Sequence, residues 1–212
     1  MSLDGELAPA VRVVAICGSL SSNSKTRAAL TVALRGAQEM GGDTQLIDLR
    51  QYELDFCVGK EGEESYPSDV FRLRRDVQQA QGIILGTPEY HGGYSGVLKN
   101  ALDLMGFKEF QGKVIGLVGV AGGQTGAINS LNGLRTVGRA LRAWVIPTQV
   151  SVPQAWRLFD EQGQPKDHDL EERLLEVGRQ VTRFAYLHTS EQARLFLNDW
   201  EEAQTNPGGE DR

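Results

Sequence analysis

Apolar residues along this chain fall into short continuous runs and longer stretches at helical spacing, and the two alternate. Val11 to Cys17 is a near-continuous apolar run, the pattern of a strand covered on both faces. A helix is predicted over about Ser24–Met40, with Leu30, Ala33, Leu34 and Ala37 on one face. Gly41-Gly42 stops it. Thr44–Leu49 reads as a short second strand, and Arg50–Tyr66, with no clear period, as a long excursion. Ser68 is placed to cap a helix of Val70, Leu73, Val77 and Ala80. Gly82–Gly86 is the third strand, about Ser95–Met105 the third helix, and Val114–Val118 the fourth strand. Ile128, Leu131, Leu134, Val137 and Leu141 mark a fourth helix, Trp144–Val152 a fifth strand, and Leu170, Leu174, Val177, Val181 and Phe184 a fifth helix. A further helix capped by Ser190 carries Ala193, Phe196, Leu197 and Trp200, and Thr205–Arg212 is a polar tail expected to be mobile.

Strands alternating with helices predict an α/β three-layer sandwich around a five-stranded parallel sheet. Pro147 cannot donate to a ladder, so the fifth strand belongs at an edge, as in the order 2-1-3-4-5. One domain is expected over residues 1–212, with a core at about 11–188 and an extra C-terminal helix and tail at 189–212.

Composition narrows the function. A length of 212 residues, 40% hydrophobic, suits one domain with a sizeable core. A net charge of −6 argues against nucleic acid, and no apolar run approaches the roughly 18 residues of a membrane span. The acidic Met1-Ser2-Leu3-Asp4-Gly5-Glu6 is unlike a secretory signal. Cys17 and Cys57 form no CxxC pattern, and the three histidines show no ligand spacing, so no metal is expected. A soluble cytoplasmic protein is the expectation.

The chemistry lies in three loops that follow strands one, three and four. The first, Gly18-Ser19-Leu20-Ser21-Ser22-Asn23-Ser24-Lys25-Thr26, offers hydroxyls and amides where a helix opens, which suits a phosphate; it also reads as a plain capping turn. Ser24 stands directly before Lys25, which excludes a Walker A loop, and GxGxxG is absent. Gly93-Tyr94-Ser95-Gly96 fails as a GxSxG nucleophile elbow. In the second loop, Thr87-Pro88-Glu89-Tyr90-His91-Gly92-Gly93-Tyr94, Tyr90 either stacks on a ring or packs, and His91 reads more readily as a turn residue than as an acid or base. Gly122 and Gly123 mark the third. Two loops offering backbone and an aromatic ring beside a phosphate loop suggest a phosphorylated planar cofactor.

Gly18-Ser19-Leu20…Ser24…Thr26, then Thr87-Pro88-Glu89-Tyr90 and Gly96-Val97-Leu98-Lys99-Asn100-Ala101-Leu102-Asp103, resemble the NADPH-dependent FMN reductase family, with its flavodoxin-like quinone, chromate and azo-dye reductases. The likeness covers about Val11 to Phe184. It implies bound FMN, NADPH or NADH as co-substrate, a small-molecule electron acceptor, and a homodimer or tetramer. Cofactor contacts are then expected at Ser19, Ser21, Ser24, Lys25 and Thr26, at Pro88, Glu89, Tyr90, His91 and Gly92, and at Gly122 and Gly123. Departures are Ser21 where many relatives have Arg, Thr26 and His91 where they have Asn, and Gly119 in place of Ser.

No side chain is assigned catalysis: flavin N5 carries the chemistry, and donor and acceptor take turns on one open face in a ping-pong cycle. The rival reading is a flavodoxin-type electron carrier without nicotinamide turnover; an interaction protein whose C-terminal helix carries a partner is a third. For association, Leu98, Leu102, Leu104, Met105 and Phe107 promise more apolar surface than one sheet face covers, and Phe196, Leu197 and Trp200 add to it. The alternative is that the terminal helix folds over the edge strand Trp144–Val152 and shields it.

Overall fold

The computed structural model describes residues 10–59, 66–189 and 195. In chain order the elements are β1 (Arg12–Cys17), α1 (Lys25–Glu39), β2 (Asp43–Asp48), a 3-10 turn (Leu49–Gln51), α2 (Ser68–Gln78), β3 (Gly82–Tyr90), β4 (Gly93–Tyr94) and α3 (Gly96–Asp103). There follow α4 (Phe107–Phe110), β5 (Val114–Val120), α5 (Ile128–Ala140), β6 (Trp144–Val152), α6 (Ala155–Leu158) and α7 (His168–Thr189). The sheet runs β2-β1-β3-β5-β6, all parallel, and β4 pairs antiparallel with β3. This is the flavodoxin-like order predicted from sequence; the two-residue β4 is the addition.

Alternation along the central strands divides the core between the two faces of the sheet. Val14, Ile16, Ile83, Leu85, Ile115 and Leu117 join Leu73, Val77, Leu98, Leu102, Leu131 and Leu134 of α2, α3 and α5. Val13, Ala15, Cys17, Ile84, Val114 and Val118 join α1 and α7, through Leu30, Ala33, Leu174, Val177 and Val181. Helices α1 and α7 meet at backbone distance. A Cβ added at Gly178 would lie 1.8 Å from the Ala33 carbonyl oxygen, and one at Gly36 would lie 2.0 Å from that of Leu175. Only glycine fits either position.

Pro147 lies on the edge strand, inside an irregularity of the ladder. Ile115 pairs Val145 and Leu117 pairs Gln149, so β6 carries two more residues than β5 there. The Arg135 guanidinium donates to the carbonyls of Ile146 (3.0 Å) and Pro147 (2.8 Å) and to Gln149 Oε1 (2.8 Å). Proline, bulge and arginine together blunt the edge against further pairing.

Three expectations change. The cap of α2 is Pro67, with Ser68 already inside the helix and making no capping bond; proline's fixed φ lets the turn begin one residue earlier. The third strand runs on to Tyr90, because the segment after Gly86 folds into a hairpin rather than an open loop. The apolar surplus around the third helix is taken up within the chain: Leu98, Leu102, Leu104 and Met105 are all buried, with Leu104 against Tyr66 and Val70. Phe107 alone of that group stays half-exposed, under the Arg142 guanidinium at 4.2 Å. The helix expected from Ser190 and the tail Thr205–Arg212 lie outside the described residues. Among the described residues no helix is long and apolar enough to cross a membrane, and no cluster of His, Cys, Asp and Glu could hold a metal.

Candidate functional site

The three loops converge at the carboxyl ends of β1, β3 and β5, with the segments leaving β2 and β6 on either side. Gly18 ties the first loop down: its amide donates to the Gly86 carbonyl (2.8 Å), and its carbonyl accepts from Ser95 Oγ (2.6 Å). Ser24 is the N-cap of α1: its Oγ accepts from the Arg27 amide at 3.1 Å, and its hydroxyl also lies in hydrogen-bonding contact with the Cys17 thiol beneath the loop. Between Gly18 and Arg27 the backbone is sparsely bonded: Ser22-Asn23 form a turn, and among the described residues the amides of 19–23, 25 and 26 meet no protein acceptor. The Ser19 and Thr26 side chains are 4% and 2% exposed, and their hydroxyls meet no protein partner either. The first turn of α1 carries no acidic residue. Nearly buried hydroxyls and free amides at the positive end of a helix dipole form a donor set for an anion.

Ser21, Ser22 and Asn23 are exposed along the rim. Lys25 points elsewhere, its Nζ donating to the Asp160 carbonyl at 3.0 Å. It lines a cleft of about 230 Å³ between the start of α1 and the 161–164 turn. Under the loop, burial pushes the Cys17 thiol pKa up, with the Asp48 carboxylate adding to the effect, so this thiol stays protonated. Burial alone would raise the Asp48 pKa too, but the hydrogen bonds and charge of Arg50, with the charge of Arg27 behind them, hold it below the ordinary value.

The second loop is a two-residue hairpin. His91 (φ 52°) and Gly92 (φ 76°) are both left-handed, which is the I′ turn geometry, and Glu89 and Tyr90 pair with Tyr94 and Gly93. His91 is therefore a turn residue. Tyr90 is 58% exposed on this hairpin, and Pro88 is buried in register with Val120. The Glu89 carboxylate turns away to accept from the Ser130 amide (3.0 Å), in the first turn of α5, whose N-cap Ala127 has no side chain to do so. Tyr94 packs on Gly133 of the same helix. Thr87 Oγ1 accepts from the Ser95 amide (2.9 Å), which joins the hairpin to α3.

In the third loop, Gly122 and Gly123 face open space and their amides meet no protein acceptor among the described residues. Ala121 donates to the Val152 carbonyl, while Gly123 and Ala121 accept from Gln154 and Ala155, so the loop is fixed to the end of β6. This brings in Trp156, 67% exposed on α6, a side chain that sequence reading did not select.

The stretch 52–59 was also only partly legible. Asn100 clamps it, donating to the Asp55 carbonyl and accepting from the Cys57 amide, each at 2.9 Å. Its neighbours Lys99 and Asp103 pair at 2.7 Å. The polar positions of Gly96–Asp103 thus hold a segment that leaves Phe56 81% exposed. The pattern of α3 carried that signal, although its target was not visible in sequence.

The sequence model of one family, described as NADPH-dependent FMN reductase, matches residues 11–157. The NADPH-dependent FMN reductase ArsH of Shigella flexneri is 31% identical over 185 residues, covering 85% of this chain and 71% of its own length. An FMN-dependent NADPH-azoreductase of Staphylococcus saprophyticus is 36% identical over 140 residues, 64% of this chain and 73% of its own. Among solved structures, an NADH:FMN oxidoreductase in its apo form superposes with a TM-score of 0.65 at 20% identity, covering 82% of this chain and 89% of that one. A flavodoxin from the domain Archaea superposes at 0.58 with 12% identity, covering 82% and 99%. The two structures share the fold; the curated relatives and the family match carry the kinship.

Proposed function

Because the chain belongs to the NADPH-dependent FMN reductase family, we propose that it is an FMN-dependent NAD(P)H oxidoreductase that reduces quinones, free flavin or similar planar acceptors, with donor and acceptor binding in turn at one open face. FMN, when bound, relays two electrons between nicotinamide and acceptor. The chain supplies position and electrostatics.

The observation that carries the reading is the set of unpaired donors over the first loop, including the nearly buried hydroxyls of Ser19 and Thr26, with the exposed ring of Tyr90 on the hairpin of the neighbouring strand β3. The hydroxyls of Ser19, Ser24 and Thr26 and the amides of the turn fit a phosphate dianion. Ser21 stands at the rim of the same turn, and Lys25 contributes its amide while its ammonium serves the Asp160 carbonyl. At the other end, His91 and Gly92 set the turn that presents Tyr90, Glu89 fixes that hairpin to α5, and Pro88 stiffens its root. The amides of Gly122 and Gly123 have no protein acceptor among the described residues, and there they favour negative charge on the edge of a ring held beside the loop. Tyr90 and Trp156 leave aromatic surface for a flat partner, which is why quinones and flavins are the proposed acceptors. The two free thiols, Cys17 and Cys57, suit a reducing cytoplasm, the proposed location.

The test begins with the cofactor released from purified protein, identified by chromatography; FMN is expected, and FAD as the dominant species overturns the site. Anaerobic mixing with NADPH should then bleach the flavin rapidly, whereas a flavodoxin-type carrier would bleach slowly if at all. Double-reciprocal plots over an acceptor panel should give parallel lines. Intersecting lines with a demonstrable ternary complex would overturn the shared face.

A further inference from the structure

We propose that Arg27 is the positioning residue of the phosphate loop: its guanidinium holds the peptide planes after Ser21 and Ser22 so that the amides of Ser22 and Asn23 face the anion. The proposal rests on the reading of residues 19–26 as the FMN phosphate site.

Arg27 lies in the first turn of α1, one residue past Thr26. Its Nη2 donates to the Ser22 carbonyl at 2.5 Å, and Nη1 reaches the Ser21 carbonyl at 3.5 Å and Asp48 Oδ2 at 3.2 Å. Every peptide bond among the described residues is trans. In a trans peptide the carbonyl of one residue and the amide of the next point in opposite directions. A guanidinium that draws the carbonyls of Ser21 and Ser22 to itself therefore turns the amides of Ser22 and Asn23 the other way. Those two amides are among the ones with no protein acceptor. An exposed turn of this kind would otherwise sample many peptide orientations, and fixing two planes before the ligand arrives removes that ordering cost from binding.

Arg27 is itself anchored. The Asp48 carboxylate, at the end of β2 and in register with Cys17, is 6% exposed. It accepts from Arg27 and, with both oxygens, from Arg50, whose Nη2 lies 2.6 Å from Oδ2. Two guanidinium groups share one carboxylate, which leaves one net positive charge behind a loop where position 21 is an uncharged serine. Charge alone does not require an arginine. A planar fork spanning two carbonyls and a carboxylate does, because the ammonium of lysine is a single point of donation on a flexible stem. Arg27 touches no phosphate in this arrangement and acts through the two peptide planes.

The experiment compares FMN with riboflavin, which lacks only the phosphate, by fluorescence titration of flavin-free full-length protein. The wild type should prefer FMN. Arg27→Lys should cut that preference about 10- to 100-fold, the range for hydrogen bonds to a charged group, while riboflavin affinity stays unchanged and certifies the fold. Asp48→Asn, which loosens the anchor, should shift the preference in the same direction. The phosphorus NMR signal of bound FMN should move in both variants. A wild type that binds FMN and riboflavin alike overturns the phosphate-loop reading itself. A wild type that prefers FMN, with Arg27→Lys and Asp48→Asn keeping the full preference, overturns the positioning role alone. The positioning role also falls if Arg27→Lys keeps the preference and Arg27→Gln loses it, since charge would then suffice.

Discussion

Gly178→Ala sets two opposing effects against each other at the α1–α7 contact. In a helix interior the change should stabilise, because alanine exceeds glycine by about 1 kcal/mol in helix propensity. Here the added Cβ would lie 1.8 Å from the Ala33 carbonyl oxygen, 2.7 Å from the Ala37 nitrogen and 2.9 Å from the Ala33 carbonyl carbon. All three are backbone atoms, so no side chain can rotate out of the way. Restoring even a 3.0 Å contact requires the helices to part by about 1.2 Å, along an interface of alanines on α1 and Leu174, Val177 and Val181 on α7. Overpacking of this kind costs about 3 kcal/mol, the upper part of its usual range. It outweighs the propensity gain, for a net loss of about 2 kcal/mol.

Urea denaturation is the assay, with Gly96→Ala as control, since nothing lies within 4 Å of a Cβ at that position in α3. The control should stay within about 0.5 kcal/mol of wild type. Gly178→Ala should lower the midpoint at unchanged slope, and lower the melting temperature by about 4–8 °C. Because α1 begins at the loop proposed to hold the phosphate, FMN affinity should fall with it. A Gly178→Ala protein as stable as wild type would refute the backbone-contact argument.

Lys113 Nζ donates to the carbonyls of Val77 and Gln78 at the end of α2, at 2.7 Å each, and burial pushes its pKa from 10.5 down to about 8. A folded value below the unfolded one means the unfolded chain binds more protons between those limits, so stability should rise with pH across that window. The rise is on the order of 1–2 kcal/mol after discounting for solvent screening, and absent from Lys113→Met; urea midpoints that shift equally in both proteins would dismiss it. Glu89→Ala should lose about 1 kcal/mol of stability, since α5 then has no acceptor for the Ser130 amide, and a thermal scan that matches wild type counts against that capping role. Light scattering should give a homodimer or tetramer, and Phe56→Ser should weaken it, because Phe56 and Val58 are 81% and 62% exposed on a segment clamped to α3 by Asn100; a one-chain mass for the wild type sinks this.

The strands and the major helices were readable because their apolar positions repeat locally, and the edge position of β6 because a proline cannot be hidden elsewhere. What escaped was decided across long separations in sequence. Glu89 stands in a loop motif as an apparent ligand contact, yet its acceptor capacity goes to Ser130, 41 residues on. Leu104 and Met105 looked like surplus surface because the segment that brings Tyr66 beside Leu104 has no periodicity to announce it. Gly36 and Gly178 sit inside helical patterns as apparent weak points, and only the crossing of two elements more than a hundred residues apart shows why no side chain fits. Lys25, counted with the loop by proximity, is drawn off by a carbonyl 135 positions away.

The same distinction explains how the site is constructed. Two side chains expected from sequence as ligand contacts serve as supports, Ser24 capping α1 and Glu89 capping α5, and two that were not expected there do the same: Arg27 holds the carbonyls of Ser21 and Ser22, and Asn100 clamps the segment before α2. Ser24 and Arg27 fix the backbone of the first loop, where amides remain free, and backbone bonds from Gln154 and Ala155 fix the third loop around the free amides of Gly122 and Gly123. Binding through amides tolerates changes of side chain as long as the supports persist, so Ser21, where a charged residue would be expected beside a phosphate, need not weaken the loop if its carbonyl stays on Arg27. The sensitive positions for cofactor retention are then the supports behind the loop, Arg27 and Asp48, more than the exposed residues along its rim.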